Sequence, residues 1–359
     1  MKATLTLDNG TVFEGRSFGS EQPTSGEVVF STAMTGYPES LTDPSYEGQL
    51  LTLTYPLAGN YGVPDSELAD NGLSKYLESE RIHVSGLIVS DYSEQYSHWN
   101  AKRSLADWLK SENIPAITGV DTRQLTKILR EKGSMLGRIT VGDTTDSTPL
   151  YDPATENLVA KTSCKEPVTY GSGKLRIVLV DCGVKHNIIR CLLKHDVTVV
   201  RVPWSYDFNA MEYDGLFISN GPGSPTYCAE TITHLQKAMQ GSKPIFGICM
   251  GNQLLSLASG AQVYKLKYGH RSHNQPVQHL PTGRCFVTSQ NHGYAVDNAT
   301  LGNDWEPLFV NLNDGTNEGI RHKTKPFMSA QFHPEAASGP TDTEFLFGEF
   351  VNLVNASLR

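Results

Sequence analysis

Leu175-Arg176-Ile177-Val178-Leu179-Val180-Asp181 is almost continuously apolar, ends in an acid and runs into the turn Cys182-Gly183. A strand that is apolar on both faces has to be covered on both faces, which is the situation of an interior strand in a parallel sheet. A helix-like segment follows over residues 186–195. Further apolar runs stand at 197–203, 215–219 and 244–248, with a helical pattern over 230–239 between the last two. Buried strands alternating with helices predict a doubly wound, mostly parallel-sheet α/β domain. Short strands near 284–287 and 327–332 and a closing helix over 343–358 complete this half.

The first half reads differently. Short alternating runs such as Lys2–Leu7 and residues 27–31, punctuated by Gly and Pro, predict a β-rich α/β domain with a few helices. One helix is expected over 101–112 and another over Thr122–Lys132, capped by Asp121 and stopped by Gly133. From 141 to 174 the apolar periodicity fades and Thr, Ser, Asp, Pro and Gly accumulate. The expected organisation is therefore a domain over 1–145, a linker over 146–174 and a second domain over 175–359.

The 359 residues suit two cores, with 38% apolar residues to fill them. A formal charge of -8 without a Lys or Arg run argues against a nucleic-acid partner. No stretch approaches the roughly eighteen apolar residues of a membrane span, and the N-terminus has no signal-peptide core, so a cytoplasmic location is expected. The six cysteines form no C-x-x-C pair and no zinc-like spacing with His. Free thiols and no metal are expected.

One thiol has distinctive neighbours. Gly247-Ile248-Cys249-Met250-Gly251 follows a buried run and precedes a helical pattern over 252–258. A nucleophile on a sharp strand-to-helix turn needs small residues two positions either side, and the first N–H groups of the helix suit an anionic sulfur. With 32 Gly and 6 Cys in 359 residues, G-x-C-x-G is expected about 0.05 times by chance. A thiol nucleophile needs a base, and the base an orienting group. Gln331-Phe332-His333-Pro334-Glu335 offers both, because residues two apart on extended backbone share a side and Pro334 keeps His333 out of a helix. The loop Ser219-Asn220-Gly221-Pro222-Gly223-Ser224-Pro225 is either an anion-binding loop at the end of a strand or an ordinary Gly-Pro turn.

Taken together, Gly247-Ile248-Cys249-Met250-Gly251, Asn220-Gly221-Pro222-Gly223 and His333-Pro334-Glu335 make residues 175–359 resemble a class I glutamine amidotransferase domain. Met34-Thr35-Gly36-Tyr37-Pro38-Glu39-Ser40-Leu41-Thr42-Asp43-Pro44-Ser45-Tyr46 and Gly119-Val120-Asp121-Thr122-Arg123 look like the N-terminal domain of the carbamoyl-phosphate synthase small-chain family. So do Asp181-Cys182-Gly183-Val184-Lys185-His186-Asn187 and Gly269-His270-Arg271-Ser272-His273-Asn274-Gln275-Pro276. The resemblance implies Cys249 as nucleophile, His333 and Glu335 as its partners, and the N–H groups of Gly221 and Met250 as oxyanion donors. It implies glutamine contacts at Ser45, Gly221, Gly223, Met250, Gln253, Asn291, Gly293 and Tyr294. On residue type alone, Ser45 is a polar residue in a turn and residues 291–294 read as a turn between strands. Met250 stands where Leu is common, Ser224 where Asp is usual, and Arg271-Ser272-His273 where the family usually has a His-Gly pair.

The implied activity is hydrolysis of glutamine through a Cys249 thioester, with ammonia passed to a large synthetase subunit that makes carbamoyl phosphate. No cofactor is implied in this chain. ATP, Mg and bicarbonate belong to the partner, in keeping with the lack of a G-x-x-x-x-G-K-[ST] loop here. The alternatives are a glutaminase subunit of another synthase, a stand-alone γ-glutamyl cysteine hydrolase, and a non-catalytic binding module.

Overall fold

The computed structural model describes residues 1–142 and 148–359. It divides into two compact units, Met1–Glu156 and Asn157–Arg359. The expected boundary near residue 145 lies outside the described residues.

The first unit is a closed barrel. Its strands are β1 (Lys2–Leu7), β2 (Val12–Ser17), β3 (Thr24–Ser31), β4 (Gln49–Leu53), β5 (Gly86–Val89), β6 (Ala116–Thr118) and β7 (Met135–Val141), and they close in the order β1-β2-β6-β5-β4-β3-β7. The pairs from β3 through β6 are parallel, and the remaining four are antiparallel. Closure leaves no strand edge unpaired. Alternation along β1 sends Ala3, Leu5 and Leu7 inward, as period two requires. Three helices attend the barrel: α1 (Tyr37–Thr42), α2 (Leu105–Ser111) and α3 (Thr122–Lys132).

Local chemistry sets the helix ends. In α3 the Asp121 carboxylate accepts from the Gln124 N–H at 2.8 Å, and Gly133 stops the helix at φ 102°. Leu125 and Leu129 of α3 are fully buried, each stabilising by about 1.5–3 kcal/mol. The α2 helix begins later than the periodicity over 101–112 suggests. Ser104 caps it, its Oγ accepting from the Asp107 N–H at 3.0 Å, so residues 101–103 stay outside.

The second unit contains α4 (Leu158–Thr162), β8 (Val168–Tyr170), β9 (Leu175–Asp181), α5 (His186–Leu192), β10 (Val197–Pro203), β11 (Gly215–Ile218), α6 (Ala229–Ala238), β12 (Ile245–Ile248) and α7 (Met250–Ala258). It continues with β13 (Val263–His279), β14 (Cys285–Val296), β15 (Trp305–Asn311), β16 (Asn317–His322), β17 (Phe327–Ala330) and α8 (Phe345–Ser357). These strands form one ten-stranded sheet, in the order β14-β13-β15-β16-β17-β12-β11-β9-β10-β8. Its centre, from β17 to β10, is parallel. Helices cover both faces, because Leu235 of α6 and Leu254 and Leu255 of α7 pack with Val178, Val180 and Ile218, while Phe347 and Phe350 of α8 pack against Phe217. The doubly wound expectation holds for this centre.

Two expectations need correction. Residues 157–174 are not a free linker: Asn157 caps α4 by accepting from the Ala160 N–H, and β8 pairs antiparallel with β10. Their short length and polar residues hide them from periodicity. The strand expected near 284–287 is the start of the twelve-residue β14, so residues 291–294 lie inside a strand. That strand belongs to an antiparallel wing of β13 to β16, in which register shifts at Lys265/His270 and Ser272/Gln275 break the alternation of β13.

Candidate active site

The parallel strands leave their carboxyl ends on one side, and the order reverses on either side of β9, where ligand crevices form in such sheets. Lys185 follows β9, the Asn220 to Gly223 loop follows β11, Cys249 follows β12 and His333 follows β17. The chain thus brings residues about 150 positions apart to one end of the sheet.

Cys249 is buried between β12 and α7 with φ 54° and ψ -101°, a backbone conformation that L residues rarely adopt. Packing holds it there. A Cβ on Gly247 would lie 2.5 Å from the Gly251 carbonyl, and one on Gly251 would lie 2.3 Å from the Ile218 carbonyl. The small residues either side of the thiol are therefore a steric requirement of backbone against backbone. Gly251→Ala should destabilise the chain by at least about 2 kcal/mol, read as a lowered denaturant midpoint. An unchanged midpoint would show that the turn relaxes.

His333 donates or accepts at both ends of its segment. Its N–H donates to the Ser289 carbonyl at 2.9 Å, and its ring Nδ1 meets Glu335 Oε1 at 2.7 Å. Both side chains are buried. The Nε2 atom makes no hydrogen bond, and the Cys249 thiol is turned to the Asn291 carbonyl at 3.7 Å. Burial alone would lower the His333 imidazolium, but the Glu335 carboxylate and the adjacent Cys249 push it up to about 10. Burial would likewise raise Glu335, yet Lys185 and His333 hold it at about 2.

Lys185 completes the buried charge chain, and no sequence pattern links it to Glu335. Its Nζ stands 3.2 Å from Glu335 Oε1 and also donates to the Ala336 carbonyl, both partners being buried. The turn that aims it is fixed by Asp181, whose Oδ1 accepts from the Gly183 and Val184 N–H groups and whose Oδ2 accepts from Arg201. Nearby His273 is kept at about 4 by burial, Lys185 and His333, so it adds no charge at neutral pH.

These charges set an expected pH response. Only a protonated His333 can hand a proton to a leaving group, and Glu335 is the chief stabiliser of that form. Glu335→Gln removes that stabiliser and leaves the burial. His333 then loses its proton at lower pH, so the alkaline limb of kcat should move down. An unmoved limb at saturating substrate would contradict this assignment.

The remaining expected residues divide by unit. Met250 opens α7, so its N–H is among those without an intrahelical acceptor. Gly221 packs so tightly that a Cβ would lie 2.0 Å from the Cys182 carbonyl, and Gly223 has φ 77°. Ser224 is half-buried, with its hydroxyl 2.9 Å from that of Thr226. Gln253 donates to the Tyr294 carbonyl at 3.3 Å and to Gln331 at 3.2 Å, which ties α7 to β14 beside Asn291 and Gly293. Ser45 belongs to the first unit, where its N–H donates to Asp43 at 2.9 Å in a single 3-10 turn.

Known proteins offer an independent comparison. A family profile described as glutamine amidotransferase class-I matches residues 178–353, and one described as carbamoyl-phosphate synthase small chain, CPSase domain, matches residues 5–139. A carbamoyl phosphate synthase arginine-specific small chain from Aspergillus oryzae is 51% identical, over 98% of this chain and 80% of that one. The Saccharomyces cerevisiae protein of the same name is 53% identical, over 97% of this chain and 88% of that one. The multifunctional protein CAD of Squalus acanthias is 54% identical over 97% of this chain, which spans only 16% of that much longer protein.

Proposed function

The chain belongs to the carbamoyl-phosphate synthase small-chain family, and from that membership we propose that it hydrolyses glutamine and delivers ammonia to a large synthetase subunit. The observation that carries the proposal is the buried chain Lys185, Glu335, His333, with Glu335 on the Nδ1 side of a His333 ring that neighbours Cys249. Cys249 Sγ attacks the γ-carbonyl carbon, and the electron pair moves onto oxygen, where the Gly221 and Met250 N–H groups receive it. The tetrahedral species collapses as His333 protonates the leaving ammonia, giving a γ-glutamyl thioester. His333 then takes a proton from water, hydroxide adds to the thioester carbon, and glutamate leaves with the thiol restored.

Within the second unit, Gly223, Gln253, Asn291, Gly293 and Tyr294 are proposed to hold glutamine. These steps draw on no metal or organic cofactor of this chain, and ATP, Mg and bicarbonate act in the partner. No helix among the described residues is long and apolar enough to cross a membrane, and a cytoplasmic site of action fits that. The carbamoyl phosphate would serve arginine synthesis, pyrimidine synthesis or both, matching the arginine-specific and multifunctional relatives.

The test is affinity capture from native extract, with glutaminase rates measured before and after the captured partner is added. Recovery of a large ATP-dependent synthetase and a faster rate in its presence are expected. A full rate alone with no partner recovered would favour the stand-alone hydrolase.

A further inference from the structure

Outside the catalytic group, one buried cluster combines donor types that the proposed mechanism does not use. His270 on β13, His292 on β14 and Glu318 on β16 each offer one ligand atom within 4.8 Å of the other two. We propose that these three residues form a zinc-type divalent cation site that locks the glutamine-facing strand β14 to its neighbours.

Burial comes first. His270 is 8% exposed, His292 4% and Glu318 0%, so the cluster is cut off from bulk solvent. Yet Glu318 Oε2 and His270 Nδ1 have no hydrogen-bond partner, and the closest approach between the two side chains, Nδ1 to Oε1, is 3.6 Å. A buried carboxylate oxygen and a buried ring nitrogen left bare are costly unless something of opposite charge sits between them.

The outer contacts fix which nitrogens face inward. His270 Nε2 stands 2.8 Å from Asp314 Oδ2, and His292 Nδ1 stands 2.8 Å from the Tyr294 carbonyl. Against burial, Glu318 and Asp314 favour a charged His270 in the metal-free cluster, and a metal would displace that proton. With both imidazoles neutral, each can give its single N–H to the oxygen outside the cluster, which leaves His270 Nδ1 and His292 Nε2 as lone-pair atoms. A metal-bound histidine commonly holds its other nitrogen in this way. In that tautomer the His292 Nε2 lone pair faces Gln290 Oε1 at 3.1 Å, and a cation between them would take both as ligands. Two imidazoles, one carboxylate and one amide oxygen suit Zn²⁺ better than Ca²⁺ or Mg²⁺, which prefer oxygen donors throughout.

Size sets the remaining condition. Tetrahedral ligands bonded at about 2.0–2.1 Å lie about 3.4 Å apart, so ligand atoms up to 4.8 Å apart must close by as much as about 1.4 Å, within reach of side-chain rotations. Contraction would pull on His292, which stands between Asn291 and Gly293. The Asn291 carbonyl in turn accepts from the Cys249 thiol, so the cation would steady the strand on which the nucleophile rests.

The test uses the full-length chain as Cys249→Ser, which removes the competing catalytic thiol. After stripping and reloading with Zn²⁺, about one retained equivalent is expected, and Co²⁺ should give the visible absorption of a four-coordinate site. Glu318→Gln should lose that equivalent. Asp314→Asn, at a half-exposed side chain that the fold tolerates, should weaken binding about 10- to 100-fold in a chelator competition. Failure of the unsubstituted cluster to retain stoichiometric metal, or retention undiminished in both variants, would overturn the proposal. The first result would leave His270 as a charged link between Asp314 and Glu318. Neither result bears on glutamine hydrolysis.

Discussion

Cys249→Ser should abolish carbamoyl phosphate formation from glutamine in the assembled synthetase, by about 10³-fold or more, while formation from ammonium salts stays intact. The hydroxyl of serine titrates far above neutral pH, and a His333 already held protonated by Glu335, which Lys185 in turn keeps ionised, is poorly placed to deprotonate it. The pocket keeps its shape, because the strain at residue 249 is held by backbone packing of Gly247 and Gly251 and not by sulfur. Glutamine should therefore still bind and persist unreacted. Product formation with each nitrogen source, for the parent and the variant, separates the possibilities. Equal loss with both sources would mean that Cys249 serves folding or assembly.

The second large effect falls on His333. His333→Asn removes both the acid that expels ammonia and the base that activates water, and turnover of glutamine should fall by about 10⁴-fold. Glu335→Gln should cost at least about tenfold less, since it only loosens the ring and withdraws its charge partner. Turnover rates in the reverse order would mean that the two roles have been misassigned. Both side chains are buried, so the variants should be compared by far-UV circular dichroism before their rates are interpreted.

The centre of the fold and the Cys249 and His333–Glu335 turns are legible in the sequence because they show in short-range patterns. The run from Leu175 to Asp181 is apolar on both faces since it is covered on both faces, and the helix at Thr122–Lys132 carries its own cap and stop. Likewise Cys249 sits between glycines whose spacing marks the tight turn, although Gly251 packs on the distant Ile218 carbonyl, and His333 reaches Glu335 because residues two apart share a side.

What stayed hidden depends on pairing at a distance. Barrel closure joins β3 to β7 across more than a hundred residues, and alternation does not say which strand an edge will meet. The wing strand β13 carries polar residues and two register shifts, so no period of two survives in it. Nothing in the spacing of Lys185 pairs it with Glu335, a carboxylate 150 positions away that only the fold brings within 3.2 Å. His270, His292 and Glu318 come from three strands and have no common spacing at all.

The central claim is a covalent γ-glutamyl thioester on Cys249. The most direct measurement is to quench the working complex in acid during turnover of glutamine, digest it and weigh the peptide containing Cys249. The account predicts that this peptide alone gains the mass of a γ-glutamyl group, that hydroxylamine removes it, and that the adduct is absent from Cys249→Ser. A γ-glutamyl group found on another cysteine, or turnover at full rate with Cys249 unmodified under every quench, would contradict it.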